Sequence, residues 1–121
     1  MGTCFTAVIV VKARRKVVFT AQRLPAARRD LVVFMILERF KNGDPVPVYR
    51  RFKERGRLAP EGLSYVSSWI TQDLGTCYQV MECADRGLLD QWMANWSDIV
   101  DFEVLPVVSS AEALAAVTPR L

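Results

Sequence analysis

Aromatic and acidic side chains lie along two β-type segments in the middle of the chain, and they are the first candidates for chemistry. The segments cover residues 63–70 and 76–83, and the short connection between them predicts an antiparallel hairpin. If Thr71 pairs with Thr76, one face of the hairpin carries Tyr65, Trp69, Tyr78 and Glu82. Such a set predicts an aromatic pocket with one carboxylate, in which Glu82 could act as general base and Tyr78 as proton donor.

The pairing of the two segments decides which side chains meet, and a second register is open. If Ile70 pairs with Thr76, the slip of one residue exchanges the two faces. Trp69 then shares a face with Cys77, Gln79 and Met81. We favour the first register because it leaves a more uniformly apolar opposite set: Val66, Ile70, Cys77 and Met81. The same pattern is also typical of core aromatics with an exposed or ion-paired Glu82.

Two amphipathic helices are predicted to lie beside these segments. The first follows the turn at residues 42–45, where Asp44 can cap the helix and Pro45 can take its first position. Asp85 can cap the second helix, whose apolar stripe is Leu88, Leu89, Trp92, Met93 and Trp96. Tyr49 and Trp92 are further candidates for ligand binding, although packing in the core is the commoner role of such aromatics.

Composition excludes several classes of site. The chain has no histidine, which removes His-based triads, Cys–His nucleophile pairs and His zinc sites. Its three cysteines have no metal-ligand spacing and form no Cys-x-x-Cys motif, so we expect reduced, inert thiols in a cytoplasmic protein. No apolar run approaches the roughly 20 residues that a membrane helix needs. We therefore expect no metal, no cofactor and no membrane contact.

The net charge of +3 hides two unlike segments. Residues 1–30 contain seven basic and one acidic side chain, whereas residues 31–121 contain nine basic and twelve acidic ones. The first segment could be a basic arm for nucleic acid, a transit peptide or an upstream extension without a role. The basic residues of the first helix, Arg50, Arg51, Lys53, Arg55 and Arg57, could bind an anion, but a solvated face is commoner. We favour neither segment as a nucleic-acid site.

The order of the predicted elements indicates the fold class. The strands and helices follow as strand, helix, strand, strand, helix, strand, and a capping box at Ser109–Glu112 opens a short final helix. This is the ferredoxin-like βαββαβ order, an α+β fold with a four-stranded antiparallel sheet and two helices on one face. The first strand is apolar throughout residues 31–37, which is typical of burial on both faces. We therefore expect a second copy to cover the free face, giving a homodimer.

Several stretches resemble a bacterial domain-of-unknown-function family (DUF3303-like) of the dimeric α/β-barrel superfamily. They are residues 34–45, 49–52, 55–63 and 77–83, and the resemblance covers about residues 32–117. It implies two ferredoxin-like sheets that face each other, with ligands between helices and sheet. It also implies that the chain of this family starts near Val32 or Val33, so that residues 1–30 are a mis-assigned extension and residues 31–121 are the domain.

The resemblance implies two functions. The first is a small-molecule-binding homodimer in the bacterial cytoplasm, which takes an apolar or aromatic ligand. The second is a cofactor-independent enzyme of the monooxygenase, isomerase or cyclase type, with acid–base residues in the cleft between helices and sheet. An enzyme predicts an enclosed, desolvated titratable group, whereas a binding module predicts an apolar cavity without one.

Overall fold

A computed structural model describes residues 30–121 of the chain. The helices and strands are β1 (Val32–Phe40), α1 (Val46–Arg55), β2 (Ser64–Ile70), β3 (Thr76–Cys83), α2 (Arg86–Ala94), β4 (Val100–Val107) and α3 (Ser110–Val117). Short 3-10 turns follow β1 at Lys41–Gly43 and α3 at Thr118–Arg120. The predicted N-terminal extension, apart from Asp30, lies outside the described residues.

The four strands form one antiparallel sheet in the order β2-β3-β1-β4. β1 is central and pairs with β3 on one side and with β4 on the other. The α+β class and the four antiparallel strands are therefore as predicted. Because β1 has neighbours on both sides, its backbone N–H and C=O groups are satisfied within the sheet, which suits the most apolar segment of the chain.

One face of the sheet carries the core. Every second residue of β1 is buried on this face, from Phe34 to Phe40, and β3 contributes Cys77 to Cys83 in the same alternation. Helix α1 adds Val48 and helix α2 adds Leu89 and Trp92 to the same cluster. The buried side chains at every second position of the strands pack against the apolar stripe of α2 in this cluster. Both helices therefore pack on one face of the sheet.

The opposite face, which we call the open face, is only partly covered. Val33, Met35 and Leu37 of β1 are half-buried there, so within the single chain this side of β1 is only partly covered. The physical reason is that α1 and α2 share the core face. Within the described residues, α3 buries none of its side chains and covers no part of the sheet.

The helix ends follow local sequence signals. The Asp85 carboxylate accepts a hydrogen bond from Gly87 N at 2.8 Å, and Ser109 and Glu112 form the predicted reciprocal capping box. Gly56 ends α1 with a φ of 75°, a conformation that favours glycine. Helix α1 begins at Val46, one residue later than predicted, and Asp44 Oδ1 accepts from Val46 N at 3.0 Å.

The β2–β3 hairpin has the favoured register with one irregularity. Thr71 N donates to Thr76 O at 2.9 Å, and Trp69 lies opposite Tyr78. A β-bulge between Tyr65 and Ser67 then shifts the pairing by one residue. Because a bulge inserts an extra residue into one strand, the side chains before and after it exchange faces.

No helix in the described part of the chain is long and apolar enough to cross a membrane.

Candidate functional site

A cavity of about 160 Å³ lies between the core face of the sheet, helices α1 and α2, and the segment that follows α1. Its lining combines aromatic rings with four polar side chains, those of Glu38, Arg57, Ser68 and Gln79. The lining residues are Glu38, Phe40, Val48, Tyr49, Phe52, Arg57, Ser68, Cys77, Gln79, Trp92 and Trp96. A mostly apolar cavity with a few convergent polar groups is the usual form of a small-molecule site.

Glu38 is the acidic group of this cavity. It lies on the core face of β1 between Ile36 and Phe40, and only 8% of its surface is exposed. Its Oε2 atom has no hydrogen-bond partner. Burial raises the pKa of Glu38 to about 7, against an opposing effect of the nearby Arg57 charge. The carboxyl group therefore gains and loses its proton near neutral pH.

Arg57 is the basic group of the cavity. Its guanidinium donates a hydrogen bond from Nη1 to Gln79 Oε1 at 3.0 Å. The same group lies 3.7 Å above the ring of Tyr65 and 5.2 Å from that of Phe52, which are cation–π distances. Arg57 forms no ion pair with Glu38 within the described residues. Both groups line the cavity without neutralising each other.

The backbone at Arg57 and Leu58 accepts hydrogen bonds from side chains of α2 and of the two residues that follow this helix. Trp92 Nε1 and Trp96 Nε1 each donate to the Arg57 carbonyl oxygen at 3.0 Å. Asn95 Nδ2 donates to Leu58 O at 3.3 Å. These bonds satisfy the indole N–H groups of two buried tryptophans, which otherwise would cost free energy. They also hold Arg57 at the cavity, directly after the turn at Gly56.

A charged pair ties α1 to the segment after α2. The Arg51 guanidinium donates to both carboxylate oxygens of Asp98, at 2.8 and 2.7 Å, and also to Asn95 O at 2.8 Å. The hydrogen bond from Arg51 lowers the pKa of Asp98 to about 2. This bidentate geometry gives orientation as well as attraction, so α1 is joined to the segment that follows α2.

Two further titratable side chains border Glu38. Burial raises the pKa of the Cys77 thiol to about 12, and the negative charge of Glu38 acts in the same direction. Burial also raises the pKa of Tyr49 above its ordinary value. Both groups are therefore neutral in the range where Glu38 titrates, so that Glu38 is the proton-exchanging group of this set.

The structure brings together three of the residues that the sequence suggested. Tyr49 and Trp92 line the cavity. Tyr65 lies at its edge, where its ring stacks on Arg57 and its hydroxyl is 2.7 Å from Ser68 Oγ. Tyr65 lies on this side because the β-bulge after it exchanges the face it would otherwise share with Trp69.

The other three residues do not lie in the cleft, contrary to expectation. Tyr78 and Trp69 are a cross-strand pair, 41% and 64% exposed, on the open face. Glu82 is on the same face, opposite Val33. The physical reason is the alternation of β3, whose odd-numbered residues Cys77 to Cys83 fill the core and turn the even-numbered ones outward.

Sequence reasoning missed the polar groups that line the cavity, Glu38, Arg57 and Gln79. In the sequence Glu38 directly follows the apolar run of residues 31–37, and Arg57 belongs to the basic residues for which a solvated face is the commoner role. A signal for Glu38 was present, since Phe34, Ile36 and Phe40 alternate at a period of two that places residue 38 in the core. A charge at a core-facing position is rare unless it has a role or a partner.

The remaining basic residues of α1, Arg50, Lys53 and Arg55, do not line this cavity. Arg50, Lys53 and Arg55 are exposed on the outer side of α1. No group of three or more Cys, Asp or Glu side chains among residues 30–121 is arranged to hold a metal ion.

Comparison with known proteins gives one match. No curated protein and no solved structure is detectably similar to the chain. The match to a protein family extends over residues 32–121 and so includes every strand and helix described above together with the whole cavity lining. The chain therefore belongs to the family described as Domain of unknown function (DUF3303).

Proposed function

We propose that this domain binds a small organic molecule in the cavity between the helices and the sheet. The observation that carries the proposal is Glu38, a carboxyl group that is more than nine-tenths buried and has an oxygen without a partner. An unsatisfied buried polar atom costs about 1–3 kcal/mol. A ligand that hydrogen-bonds to Glu38 would recover this free energy, whereas a residue selected only for packing at this position would be apolar.

The lining indicates the kind of ligand. Phe52, Tyr49 and Trp92 offer aromatic surface, and Glu38 and Arg57 offer one carboxyl and one guanidinium group. A compact aromatic or cyclic molecule with an oxygen substituent satisfies both parts. Its ring would replace water against apolar carbon, and its oxygen would accept a hydrogen bond from Arg57 or, where it is a hydroxyl, donate its O–H to Glu38.

Ligand-observed NMR with phenol as the probe tests this proposal. We expect saturation transfer from the wild-type protein to phenol and at least a tenfold weaker affinity in Glu38→Gln, because a neutral amide oxygen accepts a weaker hydrogen bond from the phenol O–H than a carboxylate does. Glu54→Gln is the matched control, since Glu54 is exposed on α1, and it should bind phenol as the wild type does. Equal affinity in all three proteins would overturn the assignment of the cavity as the binding site.

A second function, an acid–base enzyme that needs no cofactor, is favoured by the proton affinity of Glu38. General bases act best when their pKa lies near the working pH, and burial brings the pKa of Glu38 to about 7. A desolvated titratable group in an enclosed cleft is the feature that distinguishes an enzyme from a simple binding module. In this proposal Glu38 takes the role of base that the sequence suggested for Glu82.

We also propose the finer architecture, a ferredoxin-like domain that pairs into a dimeric α/β barrel in the bacterial cytoplasm. The strand order β2-β3-β1-β4 and the shared core of α1 and α2 support the domain fold. The open face supports the dimer, because Met35, Leu37 and Tyr78 leave apolar surface at the centre of the sheet. The same surface of a second copy about a twofold axis would cover it.

A further inference from the structure

Glu38 and Arg57 both line the cavity, and they come from different parts of the chain. Glu38 comes from β1 and Arg57 from the segment after α1, and no ion pair joins them. Arg57 is held in place by Gln79, by the ring of Tyr65 and through its carbonyl by Trp92 and Trp96. A fixed cation and a carboxyl oxygen without a partner therefore line the same cavity.

We infer that the substrates of this site are small carbonyl compounds with a C–H bond next to the carbonyl group, and that Glu38 and Arg57 catalyse their enolisation. The inference rests on the proposed binding function and names its substrate class. The Glu38 carboxylate removes the proton from the carbon beside the carbonyl. The electron pair of the broken C–H bond forms a C=C bond, and the π electrons of the C=O bond move to its oxygen.

Each group of the pair has a separate part in this step. Glu38 holds the transferred proton, and Arg57 donates hydrogen bonds to the oxygen as it becomes negative. Return of the proton from Glu38 to the same carbon restores the ketone, and its delivery to another carbon of a conjugated substrate gives an isomer. Proton and electrons balance within the substrate and Glu38, so the step needs no oxidant, reductant or further reactant.

The charges of the cavity favour a neutral substrate over a permanent anion. A carboxylate or phosphate ligand would be repelled by ionised Glu38, and Arg57 already shares its charge with Gln79 and two aromatic rings. A ketone is neutral when it binds and becomes negative only at the transition state. Groups that stabilise charge at that point accelerate the reaction without tightening ground-state binding.

Deuterium exchange into 1-indanone, an aromatic ketone, measures this step directly. We expect the full-length protein in D₂O to accelerate exchange of the protons beside the carbonyl, followed by ¹H NMR. A positioned general base contributes roughly 10²–10⁴-fold. Glu38→Gln should therefore lose at least about 100-fold of the protein-dependent rate. Arg57→Lys should lose less, because a positive charge remains, and Glu54→Gln should keep the wild-type rate.

The pH profile of the wild-type protein tests the assignment without any variant. The protein-dependent exchange rate should rise as Glu38 ionises and level off above an inflection near pH 7. The groups that face Glu38 do not produce this inflection, because Arg57 stays charged and burial raises the pKa of Tyr49 and of Cys77. A rate that follows hydroxide concentration instead, with no inflection, would contradict the inference even if Glu38→Gln failed to fold.

Binding of 1-indanone separates a failure of this inference from a failure of the proposed function. If saturation-transfer NMR shows that 1-indanone binds and exchange stays at the solvent rate, the enolisation is wrong and the binding site stands. If neither 1-indanone nor phenol binds, both are wrong. Loss of exchange in Glu82→Gln with full exchange in Glu38→Gln would move the base to the open face and also overturn the inference.

Discussion

Glu38 and Arg57 have opposite charges in one cavity, but they differ in the partners that surround each charged group. Arg57 is held by Gln79 and by aromatic rings, and guanidinium groups keep their charge in proteins. Glu38 has no partner for its Oε2 atom, so burial acts on it directly and raises its pKa to about 7. Near neutral pH the cavity thus contains a fixed cation and a carboxyl group whose charge a ligand can change.

Replacement of Glu38 by Gln should change how stability depends on pH. Since the pKa of Glu38 rises from 4.5 to about 7 on folding, the folded state binds a proton more tightly than the unfolded state. The contribution of this proton binding to the free energy of unfolding is fully present below pH 4.5 and is lost as the pH rises through 7. Between about pH 5 and pH 8 we expect the free energy of unfolding of the wild type to fall by about 2–3 kcal/mol relative to that of Glu38→Gln.

Urea unfolding of both proteins at the two pH values measures this difference. Glu54→Gln serves as the control, because Glu54 is exposed on α1 and does not line the cavity, and it should follow the wild type. Parallel pH dependence of the wild type and Glu38→Gln would mean that Glu38 titrates normally in the folded protein.

The Cys77 thiol should resist alkylation in the folded protein. Its pKa of about 12 leaves almost no thiolate at pH 8, and the thiolate is the reactive form. We expect iodoacetamide to modify the Cys77 peptide at least about 100-fold more slowly than in the urea-unfolded chain, as measured by mass spectrometry. Equal rates in the folded and unfolded chain would show that the cavity is open at Cys77.

At the scale of residues, the sequence predicted the right residue types but not the right positions. It identified a carboxylate among aromatic rings, and the structure has one, Glu38 in place of Glu82. Alternation alone could have placed Glu38 in the core. Arg57 could not be placed, because its position depends on bonds from Trp92 and Trp96, residues about 35–39 positions further along the chain.

At the scale of elements, α2 and α3 illustrate what local signals decide and what they do not. Both helices have the predicted cap, at Asp85 and at Ser109. Helix α2 buries Leu89 and Trp92, whereas α3 buries none of its residues. Caps and apolar spacing are local and can be predicted from the sequence, but the surface on which a helix packs depends on contacts between distant elements.

Loss of the two caps should therefore have different effects on global stability. Asp85→Ala should lower the free energy of unfolding by about 1 kcal/mol, because α2 unfolds together with the core. Ser109→Ala removes a cap of the same kind from a helix that is not part of the core, and it should leave the unfolding midpoint unchanged. Urea unfolding followed by tryptophan fluorescence compares them, and equal losses would show that α3 is coupled to the core.

At the scale of the whole molecule, the two faces of the sheet are unequal. The core face is covered by α1 and α2, and the open face leaves an apolar centre bordered by the ion pairs Arg39–Glu103 at 3.1 Å and Lys41–Asp101 at 3.9 Å. An apolar centre with a charged rim is typical of a surface between protein chains. The apolar character of β1 predicted that this second face is apolar. The bulge between Tyr65 and Ser67, which places Tyr65 and Trp69 on opposite faces of the sheet, has no sequence signal.

A charge at the centre of the open face should separate the proposed dimer. Leu37 lies there between Tyr78 and Glu103. An arginine at this place would have to lose its hydration when two copies associate. We expect light scattering to give a dimer mass for the wild type and a monomer mass for Leu37→Arg. Val46→Arg, an exposed apolar position on α1, should remain a dimer. A monomeric wild type would contradict the dimer.

The central claim is that Glu38 is a buried carboxyl group ready to exchange a proton at neutral pH, and its own titration tests this most directly. In protein labelled with ¹³C at the glutamate side-chain carboxyl, the resonance missing from Glu38→Gln identifies Glu38. We predict that this resonance titrates with a pKa of about 7. Titration of this resonance near the ordinary value of 4.5 would contradict the claim.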